Sequence, residues 1–201
     1  MSIDVVLFDL GGVVCRFRPD ARAKALAARC DAGEAEVRAN LFASGFDDEC
    51  DRGEHDEPAV LARVRMALGF RGGVAELRRA WATAFVPDPA VLDLVARARR
   101  AASTALLTDN GPVLLAALPA ELPAVAVAFD HLLFSCVLGA TKPGPSAFGG
   151  ALERAGVASQ RAFFVDDSPR NVAAAGALGI TAHHFNGPAA LQDALVAAGV
   201  L

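Results

Sequence analysis

At 201 residues the chain has room for one domain, or for one domain carrying an inserted module. A hydrophobic fraction of 54% with 21% charged residues is a globular composition, and no apolar run approaches the roughly 18 residues needed to span a bilayer. The net charge of -4 and the lack of any Lys/Arg cluster argue against a nucleic-acid or membrane partner.

The first element is the apolar run from Ile3 to Phe8, which reads as a strand buried on both faces. It ends in Asp9, Leu10, Gly11 and Gly12, either a simple turn or a place where the backbone approaches a ligand. Helical patterns follow over Asp20–Arg29, Glu34–Ser44, Glu57–Leu68 and Gly73–Phe85. The polar, acidic stretch from Gly45 to Glu54 between them lacks the alternating ligands of a calcium loop and reads as a solvated connection. About seventy residues without a strand pattern are the signature of a helical insertion between two parts of one α/β core.

From Asp88 a helix runs to Arg100; the basic stretch Arg97, Arg99 and Arg100 falls at its C-terminus, where cations are favoured. A short strand, Thr104–Leu107, then ends in Thr108, Asp109, Asn110 and Gly111. The Thr108 hydroxyl suits a helix cap or an anion's oxygen equally. After a helix over Val113–Leu118 and a strand over Asp130–Ser135 comes Lys142, in a loop closed by Pro143 and Pro145. Only two lysines exist, Lys24 and Lys142, and the prolines fix where the second one points. A helix over Ser146–Ala155 leads to the run Ala162–Val165, which ends in Asp166, Asp167, Ser168, Pro169, Arg170 and Asn171. Adjacent carboxylates repel each other and call for a cation, and with Asp9 they make a hard, oxygen-rich set of the kind Mg²⁺ prefers. A last strand near Ile180–Ala182 gives way to His183 and His184 and a helix over Pro188–Ala198. Neighbouring histidines in extended chain point to opposite faces, which favours structural roles over a metal site. The four cysteines, Cys15, Cys30, Cys50 and Cys136, form no CxxC pair, and the first strand starts almost at once, so the expectation is reduced thiols in a cytoplasmic protein without a signal peptide.

Four strand-end stretches, at Asp9, Thr108, Lys142 and Asp166-Asp167, share one chemistry: a carboxylate nucleophile, a hydroxyl and an ammonium for phosphate oxygens, and acids for a cation. In this set and order the chain resembles the haloacid dehalogenase-like (HAD) superfamily of hydrolases over essentially its whole length. The resemblance implies an α/β fold with a Rossmann-like parallel sheet, a core of residues 1–16 and 87–201, and a helical C1-type cap of residues 17–86. It implies Asp9 as the nucleophile that forms an aspartyl-phosphate, Thr108 as the second-motif hydroxyl with Asp109 beside it at the phosphate, and Lys142 as the third-motif lysine. Asp9, the backbone carbonyl of Gly11, Asp166 and Asp167 would hold Mg²⁺, with Asp167 the direct ligand and Asp166 set further back. A small phosphorylated metabolite is the implied substrate.

Two positions depart from the family pattern. Asp109 stands where an Asn usually follows the second-motif hydroxyl, and its carboxylate repels a phosphate unless it turns away. Two residues after the nucleophile, where most phosphatases of the family carry an Asp as general acid and base, stands Gly11. General acid–base help is worth on the order of a hundred- to ten-thousandfold. A branch resembling α-D-glucose-1-phosphate phosphatases shares the Asp-Leu-Gly opening, and an anomeric hydroxyl leaves with less need of a proton. Otherwise water or a cap residue supplies that proton, or the chain is a weak catalyst that keeps the site for binding. A 2-haloacid dehalogenase, which also lacks that Asp, is a further alternative. Arg16, Arg18 and Arg52 are candidates for meeting a substrate from the cap, although a surface role is the commoner fate of each.

Overall fold

The computed structural model describes residues 2–201. In chain order the elements are β1 (Val5–Phe8), β2 (Cys15–Phe17), α1 (Pro19–Ala27), α2 (Glu34–Val37), α3 (Phe46–Asp51), α4 (Glu57–Leu68), α5 (Val74–Ala82) and β3 (Phe85–Pro87). There follow α6 (Pro89–Ala98), β4 (Ser103–Thr108), α7 (Pro112–Glu121), α8 (Pro123–Ala126), β5 (His131–Phe134), α9 (Ser135–Leu138) and α10 (Pro145–Ala155). The chain ends with β6 (Ala162–Asp166), α11 (Pro169–Ala177), β7 (Thr181–His184) and α12 (Pro188–Ala197). Pro19, Pro89, Pro112, Pro145, Pro169 and Pro188 each take the first helical position, where the missing N–H is not needed. No helix among the described residues is long and apolar enough to cross a membrane.

Five strands make a wholly parallel sheet in the order β5-β4-β1-β6-β7, a Rossmann-like α/β arrangement with β1 at the centre. The side-chain period of two divides the strand residues between two cores. Val6 and Phe8 join Leu106, Phe163 and Val165 on one face, while Val5 and Leu7 join Ala105, Leu107 and Phe164 on the other. Helices cover both faces, which is why these strands read as unbroken apolar runs. Phe8 is fully buried, and its truncation to Ala is expected to cost roughly 3–5 kcal/mol.

Between β2 and β3 the chain is entirely helical, apart from its connections. The two flanking strands pair with each other as an antiparallel ribbon, with Cys15 opposite Pro87 and Phe17 opposite Phe85. The sequence offers no pattern for so short a pair, and the helix expected to run to Phe85 stops at Ala82 because Phe85 belongs to this ribbon. The helix expected over Glu34–Ser44 is α2 continued by a π-helical turn, Arg38–Ala43. The expected solvated connection from Gly45 to Glu54 is corrected more substantially, because it holds α3. Gly45 turns the chain into that helix at φ 81°, and Phe46 and Cys50, four residues apart, bury one of its faces. Two glycines let α3 sit close to the sheet end. A Cβ at Gly53 would lie 2.3 Å from the Cys136 carbonyl oxygen, and one at Gly111 would lie 2.9 Å from the Cβ of Cys50.

Candidate active site

The register of β1 brings the acids together. Phe8 lies opposite Val165, and the Asp9 N–H donates to the Val165 carbonyl at 2.9 Å, so the ladder runs one residue further and sets Asp9 beside Asp166. On the other side Phe8 lies opposite Leu106, which leaves Thr108 at the neighbouring strand end. All of this is at the carboxyl ends of parallel strands, where open α/β sheets bind ligands.

Lys142 arrives from the loop between α9 and α10. Its backbone N–H donates to Asp109 Oδ1 at 3.1 Å, which ties that loop to the end of β4. Its ammonium donates to Asp9 Oδ1 at 2.6 Å, Asp166 Oδ2 at 2.9 Å and the Leu107 carbonyl at 3.1 Å. Three donors meet three acceptors, so the charge is held in one place. The residue is 8% exposed, unlike most lysines, and this burial is affordable only because both carboxylates face it. Burial works against the charged Lys142, but Asp9 and then Asp166 outweigh it and push the pKa above the usual lysine range. Burial is also the largest influence on Asp9; with the nearby Asp166 it pushes that carboxyl up to about 6 despite Lys142.

Asp166 is fully buried and richly bonded. Beside Lys142 it accepts from the Ser168 N–H at 2.8 Å and from the Asn171 amide at 3.1 Å on each oxygen. Asp167 is the exposed member of the pair. Its carbonyl accepts from His184 Nε2 at 3.0 Å, and its carboxylate occupies the space above Gly12, where a Cβ would come within 2.1 Å of Oδ2. Gly12 also has φ +90°, a conformation side chains avoid, so glycine is required there twice over. One oxygen each of Asp9, Asp166 and Asp167 lies within 4.8 Å of the others, a spacing at which a small divalent cation can be held.

Thr108 is buried, and its hydroxyl oxygen accepts from the Asn110 amide at 2.8 Å, which leaves its own proton free to donate. Asp109 does turn aside, toward the Lys142 backbone, although burial raises its pKa more than Lys142 lowers it.

These residues line one side of a cavity of about 300 Å³, the size of a small-molecule site. The other side comes from the β2–β3 ribbon and the chain between its strands: Phe17 and Phe85 from the ribbon, with Arg22, Asp47 and Asp51. Arg22 is buried, with its guanidinium carbon 4.7 Å from the Trp81 ring centroid and 5.7–5.9 Å from those of Phe17, Phe42 and Phe85. Its Nη1 donates to both oxygens of Asp47 at 3.2 Å, and its Nε has no partner. Burial lowers its pKa, opposed by Asp47. Asp51, one helical turn beyond Asp47, receives no such bond. Burial first and the neighbouring Asp47 second push its pKa up to about 8.

The three arginines named as candidates have the surface role that is the commoner fate of each. Arg16 and Arg18 are exposed, and Arg52 pairs with Glu54 at 2.5 Å on the surface. Sequence reasoning gave no individual lining role to Arg22, Asn110, Asn171, Asp47 or Asp51, although Asn171 belongs to the motif that follows Asp166 and the last two fall in the Gly45–Glu54 stretch of the cap. Arg22 had a signal, being a charge four residues before Leu26 on the apolar stripe of α1.

The sequence matches the model of the haloacid dehalogenase-like hydrolases over residues 3–179. No curated protein matches it. Among solved structures it is similar to a HAD-like family hydrolase from Porphyromonas gingivalis, with a TM-score of 0.80 at 23% identity over 97% of this chain and 98% of that one. A HAD family enzyme from Bacteroides thetaiotaomicron, solved with magnesium and inorganic phosphate, gives 0.72 at 21% identity over 90% and 93%. The L-2-haloacid dehalogenase of Xanthobacter autotrophicus, with chloropropionic acid covalently bound, gives 0.62 at 20% identity over 99% and 84%.

Proposed function

Because the chain belongs to the haloacid dehalogenase-like hydrolase family, we propose that it hydrolyses a small phosphomonoester, a sugar phosphate being the favoured class, with Mg²⁺ as cofactor and Asp9 as nucleophile. The observation that carries this reading is the cluster of Asp9, Asp166 and Asp167, in which Asp9 and Asp166 share a single ammonium, that of Lys142. Three carboxylates against one cation repel a phosphate dianion, and a divalent cation removes that conflict. The donor set suits Mg²⁺, and the space that Gly12 leaves for the Asp167 carboxylate fits the same purpose. Asp9, Asp167 and the Gly11 carbonyl would hold the ion, with Asp166 behind them. When bound, Mg²⁺ supplies charge neutralisation on the phosphate oxygens and fixes their orientation. The Bacteroides enzyme solved with magnesium and inorganic phosphate supports this choice by analogy.

The rest is the work of this chain's own groups. The Asp9 carboxylate attacks phosphorus in line, and the bond to the leaving oxygen breaks. Lys142 keeps Asp9 oriented and offsets charge beside it, and the free Thr108 hydroxyl proton donates to a phosphate oxygen. Water then attacks phosphorus, the Asp9–phosphate bond breaks, and inorganic phosphate leaves. Residues 17–86 act as a cap over the substrate on the β2–β3 stem, leaving 1–16 and 87–201 as the core. The four free cysteines support a reducing, cytoplasmic setting.

The test is phosphate release from a panel of phosphomonoesters that includes sugar phosphates, with Mg²⁺ and with chelator. Release that needs Mg²⁺ and disappears in Asp9→Asn is expected. The absent side chain at Gly11 and the likeness to a haloacid dehalogenase favour one other reading, attack of Asp9 on a halogen-bearing carbon. Chloride release from 2-chloropropionate without phosphate release would replace the phosphatase reading with that one.

A further inference from the structure

A phosphatase that lacks a side chain two residues after its nucleophile still has to protonate a leaving alkoxide. We propose that Asp51, carried into the pocket by α3, is the general acid that does so, in place of the residue absent at Gly11. This rests on the phosphatase reading above and deepens it.

The geometry supports it from several sides. In-line attack by Asp9 puts the leaving oxygen on the far side of phosphorus, away from the strand ends. The pocket wall that does not come from the strand ends includes Arg22, Asp47 and Asp51. Asp47 is occupied, with both oxygens accepting from Arg22, and that pairing opposes the burial that raises its pKa. Asp51 accepts no hydrogen bond from that guanidinium. It stands at the last residue of α3, where the unpaired carbonyl ends of a helix disfavour an anion. Position 11 itself is open: a Cβ there would meet only ordinary contacts at 3.6 Å, from Phe17 and Phe85. No acid reaches the leaving group from that side.

The charges facing Asp51 come from several elements. On its own helix are Asp47 and Asp48, with the Cys50 thiol. From α1 comes Arg22, from the end of β4 comes Asp109, and from α9 comes the Cys136 thiol. Burial and three carboxylates together outweigh one arginine, so Asp51 carries its proton at neutral pH, with a pKa near 8. Its near-neutral pKa is where a general acid is most effective.

The proton balance closes over two steps. As Asp9 bonds to phosphorus and the phosphorus–oxygen ester bond breaks, the Asp51 proton moves to the leaving oxygen, giving the free alcohol and an Asp51 carboxylate. That carboxylate then accepts a proton from the attacking water. The hydroxyl bonds to phosphorus, the Asp9 bond breaks, and Asp51 is protonated again.

The test separates acid catalysis from structure by leaving-group quality. Phosphate release by wild type and Asp51→Asn is measured on glucose 6-phosphate, glucose 1-phosphate and p-nitrophenyl phosphate. An aryl oxide leaves without a proton and an alkoxide does not. The variant should lose roughly a hundred- to ten-thousandfold in kcat/KM on the alkyl ester, less on the anomeric ester and under about tenfold on the aryl ester. In wild type the alkyl rate should fall above about pH 8, and the aryl rate should lack that fall. Equal losses on all three esters, no loss on the alkyl ester, or a wild-type alkyl profile without the alkaline fall overturns the proposal. Absence of phosphate release by wild type from every ester overturns the phosphatase reading first and this proposal with it. Wild-type release with equal variant losses removes this proposal alone.

Discussion

Replacing Lys142 with Met tests the electrostatic construction of the site without reference to its reaction. Met keeps the unbranched stem as far as Cε and removes the ammonium that Asp9 and Asp166 face at 2.6 and 2.9 Å. Breaking a buried ion pair by deleting one partner costs about 3–5 kcal/mol, because the other charges stay behind unpaired. For a chain of this size that corresponds to a fall in Tm of about 6–20 °C. The sign of the pH dependence follows from the shifts. The folded-state pKa of Lys142 lies above its unfolded value, so its contribution is fully present at neutral pH and is lost only in strongly alkaline solution. Without the ammonium, Asp9 is held still further above its unfolded value of about 3.9, so the folded variant takes up a proton more readily than the unfolded one and loses stability as pH rises. The deficit relative to wild type is therefore large at about pH 7.5 and shrinks toward about pH 4.5. Thermal unfolding of both proteins at the two pH values measures it, and added Mg²⁺ should raise the variant's Tm more than that of wild type. A variant within a degree or two of wild type at the higher pH, or a deficit that does not change with pH, would refute the idea that one ammonium holds these acids together.

Two other substitutions examine neighbouring parts of the site. Gly12→Ala forces a side chain to φ +90° and drives its Cβ into the Asp167 carboxylate. A loss of about 1–3 kcal/mol is expected in urea unfolding, together with loss of the rise in Tm that Mg²⁺ gives wild type. A variant that unfolds like wild type and still responds to Mg²⁺ would show the close approach to be tolerated. Asp51→Asn should be more stable than wild type at about pH 7.5 and no more stable at about pH 4, since the folded-state pKa of Asp51 is raised and its ionisation opposes folding between the two values. Equal stability at both pH values would mean that Asp51 titrates as an exposed carboxyl.

The sheet and the strand-end groups were legible because the physics that forms them is local. A strand covered on both faces must be apolar throughout, so its end is visible as the first acid or hydroxyl, and Asp9, Thr108 and Asp166 all stand at such ends. The loop prolines marked Lys142 as fixed, although nothing in the sequence said that its ammonium lies buried between two carboxylates. That fact depends on Asp9, Lys142 and Asp166 meeting across three separate connections. The ribbon of β2 and β3 was illegible for the same reason: three residues on each side carry too little pattern to announce pairing across about seventy residues of chain.

The wall opposite the strand ends was misread for a more instructive reason. Phe46-Asp47-Asp48-Glu49-Cys50-Asp51 looks solvated because acids outnumber apolar residues, and for an isolated peptide of six residues that judgement would stand. What changes the outcome is spacing. Phe46 and Cys50 are four apart and so are Asp47 and Asp51, so a single helical turn sends one pair into the core and the other into the pocket. Gly45, Gly53 and Gly111 then permit the sharp entry and the close contacts with α7 and α9 that hold the helix there. The tertiary contacts supply the stability that the segment lacks by itself, and two of the acids that made it look like a surface loop, Asp47 and Asp51, become part of the polar lining of the cavity. The same substitution of context governs Gly11. Judged along the sequence, the chain has lost an acid two residues from Asp9; judged across the pocket, Asp51 faces the same cavity from a helix forty residues away. A fold that closes a helical segment over its strand ends can draw a missing proton donor from either side, and the side it uses is read from the pocket wall and not from the motif.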